Sequence, residues 1–285
     1  MAGIREIRRR IRSIKSTEKI TKAMEMVAAS KMRRAQQRVI AARPYAERMR
    51  DVLADLAARV GALDEAPHPL LEQRPVNRLA IVLVTGDRGL CGGFNGNMNR
   101  RAASFMLEQE VPVSLVTVGR RGRDFMVRYG RDLRAEFSGL GDYPNLIDTL
   151  PISRVVIDDY VDGTVDKVYL AYTQFVNTMV QRPTIRQLLP IEPAEAGPNP
   201  IEYIYEPSPQ AVLSDLLPRF VEMQVYHAIL ESLASFHSAQ MVAMRSATDN
   251  ARDMIQQLTL TYNKARQEMI TKELLEIAGG AEALT

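Results

Sequence analysis

Two stretches at the ends of the chain carry the pattern of a helical seam. Residues 4–43 contain neither Gly nor Pro. Stepping alternately by three and four from Ile4 to Val60 meets fourteen apolar residues in seventeen positions, with Pro44 the only breaker on the way to Gly61. An apolar repeat of about 3.5 residues marks a helix that lies against another along a narrow line. The three exceptions, Glu18, Thr21 and Glu25, are consecutive, and apolar residues there fall instead at Ile20, Met24 and Val27. That displacement predicts a local change in the face that meets a neighbour. Near the other end, Arg219 to Ala278 is sixty residues free of Gly and Pro, with Pro218 as a start signal and Gly279-Gly280 as a stop. Stepping from Phe220 meets twelve apolar residues in seventeen; past Met269 the seam fails and the apolar face moves to Ile270, Leu274 and Ile277. Helices of this length with a one-sided apolar stripe depend on packing rather than propensity. The simplest partner for each is the other, with Ala28, Ala35, Ala234 and Ala251 allowing close approach.

Between them the period changes. Leu79–Thr85 is an unbroken apolar run ending at a glycine-rich turn, as strands covered on both faces do. A helix near Met98–Gln109, a strand at Val113–Val118, a helix near Arg123–Tyr129, a short strand at Leu133–Phe137 and a helix at Asn145–Val161 follow. Lys167–Phe175 and Thr184–Leu189 form a closing hairpin. Alternation of this kind predicts an α/β sheet with helices on its faces. The expected organisation is a helix over 1–60, an α/β domain over 76–190, a Pro-rich linker over 191–210 and a helix over 211–285.

Composition narrows the class. The 285 residues are 46% hydrophobic but only 6% aromatic, with no Trp and 14 Met, a balance that favours helical packing over a β-sandwich. Cys91 is the only cysteine, which excludes an internal disulfide framework and a multi-cysteine metal cluster. The amino terminus is charged from Arg5 onward and lacks the apolar core of a signal peptide, and the longest aliphatic run, Leu79–Val84, is far shorter than the roughly 20 residues that span a bilayer. A soluble or peripheral protein is expected. Net charge is +3, yet residues 1–60 carry 16 Lys+Arg against 6 Asp+Glu, residues 61–205 carry 15 against 18, and residues 206–285 carry 6 against 10. A basic helix and an acidic one suit each other.

Four features invite chemistry. The turn TGDRGLCGGFNGN, residues 85–97, follows a strand and precedes a helix, where a phosphate cradle would sit, but its glycines do not stand in the G-x-G-x-x-G order and no Gly-Lys-Ser/Thr follows. A turn requiring positive φ and close backbone approach explains the glycines better. Cys91 lies near a helix start, yet His68, His227 and His237 all fall outside the α/β segment, so the thiol reads as structural. His227 and His237 are ten residues apart on the last helix and cannot share one metal on a single face; they read as polar seam positions. Asp158, Asp159, Asp162 and Asp166 lack the spacing and closing Glu of a calcium loop and read as a solvated helix end. No catalytic residue, cofactor site or metal site is expected. Arg5, Arg8, Arg9, Arg10, Arg12 and Lys15 could meet nucleic acid or a membrane surface, but they surround a seam and have no aromatic stacking platform, so acidic protein partners explain them better. A Rossmann-like enzyme with a helical dimerisation arm and a basic coiled-coil nucleic-acid binder are the competing readings.

Three stretches together resemble the gamma-subunit family of F-type ATP synthases: IKSTEKITKAMEMVAASKMRRAQ from Ile14, TGDRGLCGGFNGN from Thr85, and ITKELLEIAGGAEA from Ile270. In the last, Ile270, Thr271, Glu273, Glu276, Gly280 and Ala281 match the family's terminal signature. The resemblance covers essentially the whole chain and implies an antiparallel coiled coil of the terminal helices flanking a Rossmann-like α/β domain that binds no nucleotide. It implies a rotor shaft inside a ring of alpha and beta subunits, with the α/β domain at the foot beside epsilon and the membrane c-ring. It also implies a peripheral place on the cytoplasmic face of the bacterial plasma membrane, without direct bilayer insertion. Carried over, Arg266, Gln267 and Thr271 match positions that hydrogen-bond an acidic loop of a beta subunit, and Met24 the place where the shaft meets beta's acidic lever. Ile270, Leu274, Leu275 and Ile277 match an apolar collar at the top. Some photosynthetic members carry a regulatory cysteine pair in an insertion of the central domain; the region after Thr184 is short and has no cysteine, so a dithiol switch is not expected.

Overall fold

The computed structural model describes residues 3–61, 68–131, 133–192 and 205–282. Most of the Pro-rich linker, residues 193–204, lies outside that set. The elements run α1 (Ile4–Gly61), β1 (Leu79–Val84), α2 (Phe94–Leu107), β2 (Val113–Val118), α3 (Arg120–Arg128), β3 (Leu133–Phe137), α4 (Leu146–Val161), β4 (Lys167–Phe175), β5 (Gln181–Leu189) and α5 (Pro209–Glu282). They form two compact units: residues 29–240, and residues 1–28 with 241–285.

The larger unit is built on one sheet of order β3-β2-β1-β4-β5. β1 pairs in parallel with β2 and β4, β2 in parallel with β3, and the β4–β5 hairpin is antiparallel. Successive side chains of a strand point to opposite faces, and both faces of β1 are covered. Ile81 and Leu83 pack with Met98, Ala102 and Met106 of α2 and Met126 of α3. Ala80, Val82 and Val84 pack with Ile152 and Val156 of α4, with Met49, Leu53 and Leu56 of α1, and with Leu213, Leu217 and Val221 of α5. This double coverage is why the strand reads as an unbroken apolar run.

Several boundaries differ from the sequence reading, each for a local reason. α5 begins at Pro209, and Pro218 lies inside it. Ser208 accepts the Ala211 amide at 3.2 Å through Oγ, so Ser208-Pro209 is the N-cap and first helical residue, and burial of Leu213, Leu217 and Val221 holds the helix through the later proline. At its far end α5 continues through Gly279-Gly280 to Glu282. β5 begins three residues early, at Gln181, with Pro183 inside it; an edge strand tolerates proline because only one of its sides must donate to the ladder. α2 likewise begins at Phe94 rather than near Met98.

In the smaller unit, residues 4–28 of α1 pair antiparallel with α5 beyond Met241. The seam does not shift at the polar run. Thr21 and Glu25 are 8% and 7% exposed, whereas Ile20 and Val27 are 57% and 54% exposed. The polar residues stay in the seam because each finds a partner across it. Thr248 and Thr21 share a buried hydroxyl–hydroxyl bond of 2.8 Å. Glu25 lies 3.0 Å from Lys22 Nζ and 3.4 Å from Arg245 Nε, and Glu18 accepts from Arg252 Nε at 2.9 Å. Polar groups at single seam positions fix register, since a slipped register leaves them buried and unpaired. Thr248→Val is expected to cost about 1 kcal/mol. Each hydroxyl also bonds a carbonyl of its own helix, Thr21 to Glu18 O at 3.1 Å and Thr248 to Met244 O at 2.8 Å, so neither single variant orphans the other. The Thr21→Val/Thr248→Val double variant should lose less than the sum of the two singles in denaturant unfolding, and a purely additive double variant would show that the pair is not coupled.

Candidate partner-binding faces

The glycine-rich turn after β1 is closed on itself. The Gly86 amide donates to Asn95 Oδ1 at 2.9 Å, and Asn95 Nδ2 reaches Arg88 O at 3.1 Å and Cys91 Sγ at 3.2 Å. Asp87 reaches over to the neighbouring loops: Oδ1 accepts the Arg120 amide at the first residue of α3 at 3.0 Å, and Oδ2 accepts the Gly139 amide beyond β3 at 2.9 Å. A helix start with free amides attracts anions; here the chain's own carboxylate takes that place. Among the turn's own residues only Leu90 and Gly92 have positive φ, so positive φ accounts for one of its five glycines. Gly86 is explained by approach, since a side chain there would press on the Phe236 ring at 3.0 Å. A cavity of about 180 Å³ beside the turn is lined by both Asp87 and Asp142 together with Arg88 and Arg120.

The other sequence candidates also have structural places. Cys91 is buried against Phe94 and Phe236, and burial pushes its thiol pKa up, against smaller downward pulls from Asn95 and Arg121; a nucleophilic cysteine needs the opposite. The acidic cluster around the end of α4 is not simply solvated. Asp159 is 5% exposed and takes a two-pronged bond from Arg134, at 3.0 Å from Nε and 2.9 Å from Nη2, while Asp166 Oδ2 accepts the amides of Asn77 and Arg78. His237 is buried, and His227 lines a different cavity, near Tyr172 and Glu231.

The remaining candidates lie on two faces of the helical pair. Each step forward along α1 matches one step backward along α5, as Glu18–Arg252, Thr21–Thr248 and Glu25–Arg245 show. Continuing that register sets Ile4 opposite Ala265, so α5 from Arg266 to Glu282 runs past the start of α1. There the chemistry of α5 rotates. At about 100° per residue, the side that faced α1 continues through Met269, Lys272, Glu273 and Glu276, and Lys272 and Glu276 pair with each other at 3.7 Å. The other half of the helix holds Arg266, Gln267, Ile270, Thr271, Leu274, Leu275 and Ile277. Ile270, Leu274, Leu275 and Ile277 are 41–69% exposed, and Arg266, Gln267 and Thr271 are exposed. A seam that turns polar where its partner ends, beside an apolar side opening elsewhere, is the pattern of a helix end that meets another molecule.

The second face is on α1. Ile20, Met24 and Val27 form a stripe beside the seam rather than in it; Met24 is half-buried and its two neighbours are exposed. Lys19 lies to one side of it, whereas Lys22 is turned to the far side of the helix and pairs with Glu25. The sequence pattern had located these apolar residues but assigned them to the seam, because periodicity alone cannot see that Thr21 and Glu25 have partners on a distant helix.

A mixed α/β unit carrying two long terminal helices with exposed apolar side chains defines a class of subunit built to meet partners through its helices. The ATP synthase family model matches residues 3–284. The chain is 59% identical over 285 residues to an ATP synthase gamma chain of Dehalococcoides mccartyi, with full coverage of both. It is 50% identical over 289 residues to that of Chloroflexus aurantiacus, again with full coverage of both. The chain therefore belongs to the ATP synthase gamma-chain family. Among solved structures, its fold is similar to a chain of the Euglena gracilis mitochondrial ATP synthase, OSCP/F1/c-ring, at TM-score 0.67 and 22% identity, covering 99% of this chain and 94% of that one. A second is a chain of the Tetrahymena thermophila mitochondrial central stalk and c-ring, at TM-score 0.63 and 24% identity, covering 80% and 99%. Among the described residues no helix is long and apolar enough to cross a membrane.

Proposed function

We propose that this chain is the central shaft of an F-type ATP synthase, and that it contributes no catalytic residue of its own. The observation that carries the reading is the antiparallel helical pair whose projecting end exposes Ile270, Leu274, Leu275 and Ile277, in a chain related over its full length to ATP synthase gamma chains. In this reading the alpha and beta subunits surround the helical pair, and the α/β unit meets epsilon and the c-ring. The assembly lies on the cytoplasmic face of the bacterial plasma membrane.

The residues suit these tasks. Exposed apolar side chains around the end of α5 make a weakly directional contact that can slide, whereas a buried ion pair would hold one angle. Arg266, Gln267 and Thr271 offer directional donors beside that collar, and an arginine–carboxylate bond is strong enough to mark one register and exposed enough to be broken. A shaft shifts the nucleotide affinity of its partners only by touching their conformations differently. Two unlike faces, one on α1 at Met24 and one on α5 beyond Ala265, provide that asymmetry.

The test is reconstitution. An alpha–beta assembly should require this chain for sustained ATP turnover, while the purified chain alone should show neither ATP hydrolysis nor calorimetric nucleotide binding. Nucleotide binding by the isolated chain at the turn of residues 85–97 would favour the enzyme reading instead.

A further inference from the structure

His237 of α5 is 1% exposed, and neither imidazole nitrogen makes a hydrogen bond. Its Nε2 lies 3.6 Å from Asp142 Oδ1, in the loop between β3 and α4, and Asp142 Oδ2 accepts from Lys31 Nζ of α1 at 2.7 Å. Three elements thus meet at one carboxylate, with a buried titratable ring beside it. We propose that Lys31, Asp142 and His237 form a protonation-controlled latch that fastens α1 and α5 to the β3–α4 loop, closed while the imidazole is neutral and loosened when it takes up a proton. The latch lies within the α/β unit and does not rest on the rotor reading.

The charges around the ring decide the direction. Asp142 favours the protonated ring, but its carboxylate is already held by Lys31, and Lys31 and Arg88 both repel a second positive charge. Gln240, one turn along α5, favours the charged ring as a smaller influence than burial. Burial is the largest influence and also opposes the charge, so the pKa of His237 lies below its ordinary value of 6.5. Asp142 is also burdened by burial, but the Lys31 hydrogen bond and charge, then His237 and Arg88, more than offset it and hold its pKa below the usual 3.8. Asp142 therefore stays ionised across the range in which the ring titrates.

The linkage follows. With a native pKa below the unfolded one, the unfolded chain binds more protons, so the stability due to His237 is present above about pH 6.5 and is lost as pH falls through the native pKa. Asp142 is two-thirds buried and lines the cavity beside the glycine-rich turn, which gives a proton from solvent a route to the ring.

The experiment compares the full chain with His237→Gln, whose amide stays neutral at every pH used. Between about pH 7.5 and about pH 5.5 the unfolding midpoint of the wild type should fall further than that of His237→Gln. Subtracting the two removes the contribution of His68, whose pKa burial also lowers. Should the variant not fold, NMR titration of the wild type reads the same quantity: the His237 ring should titrate below 6.5, and lower still in Asp142→Asn, which removes the negative charge that favours the protonated ring. Equal pH dependence in the two chains, a His237 titration at or above 6.5, or a rise on Asp142→Asn would each overturn the proposal.

Discussion

Gly119→Ala is expected to destabilise the α/β unit by at least about 3 kcal/mol. Gly119 leaves β2 with φ 101° and ψ 138°, a conformation open to glycine and strained for any other residue. Strain is only part of the cost. A methyl group there would overlap the carbonyl oxygen of Thr85 and come within 2.9 Å of Thr85 Oγ1. Thr85 cannot withdraw, because its amide donates to Val118 O at 2.8 Å and its hydroxyl accepts the Gly122 amide at 2.9 Å. Gly119 itself donates to Phe137 O at 2.8 Å, so movement would disturb the exits of β1, β2 and β3 together. Gly130→Ala is the matched control, with φ 66° and nothing within 4 Å of the added carbon. It should cost about 1 kcal/mol. Chemical unfolding followed by circular dichroism would compare them, and similar losses in both would show that positive φ, not the close approach to Thr85, sets the cost.

Most of the architecture could be read from periodicity. The apolar run of β1, the alternation of strands and helices, and the two seams all express burial, and burial leaves a regular mark on sequence. What escaped was decided by partners distant in sequence. Thr21 reads as a fault in a seam until Thr248 is placed against it; Asp159 reads as solvated until Arg134 is. Asp87 carries no periodic signal, yet it ties the turn after β1 to the start of α3 and to the loop beyond β3. Other errors had a legible signal that a louder one masked. Ser208-Pro209 is a sound cap and first residue for α5, but Pro218 stands nearer to the Gly- and Pro-free run and drew the boundary to itself.

The exposed apolar side of α5 was legible for a different reason. Ile270, Leu274 and Ile277 leave the seam period beyond the position that faces the first turn of α1, so their exposure agrees with counting the register. What would cover them is not written in this chain, and the collar role remains the reading proposed above.

Met24→Lys tests the second face with the largest expected effect on function. Met24 is half-buried on α1 between exposed Ile20 and Val27, outside the seam that holds the helical pair. Lysine is about as good a helix former as methionine, and its stem can lie along the apolar stripe while the ammonium reaches water. Folding of the chain and assembly of the complex should therefore be little changed. In the proposed reading this face meets an acidic lever of a beta subunit, and there the new charge would add an ion pair that must break as the shaft turns. Exposed pairs contribute about 0.2–1 kcal/mol, and desolvated interfacial pairs considerably more. Since each 1.4 kcal/mol is about a tenfold change in an equilibrium, a desolvated pair would slow or uncouple rotation severalfold. Reconstituted vesicles would report this as less proton pumping per ATP hydrolysed, partly restored at high salt as the pair is screened. Met24→Leu, which keeps the stripe and adds no charge, should couple normally. If Met24→Lys lowered assembly as much as coupling, or if Met24→Leu behaved like it, the stripe would be holding the helices together rather than meeting a partner.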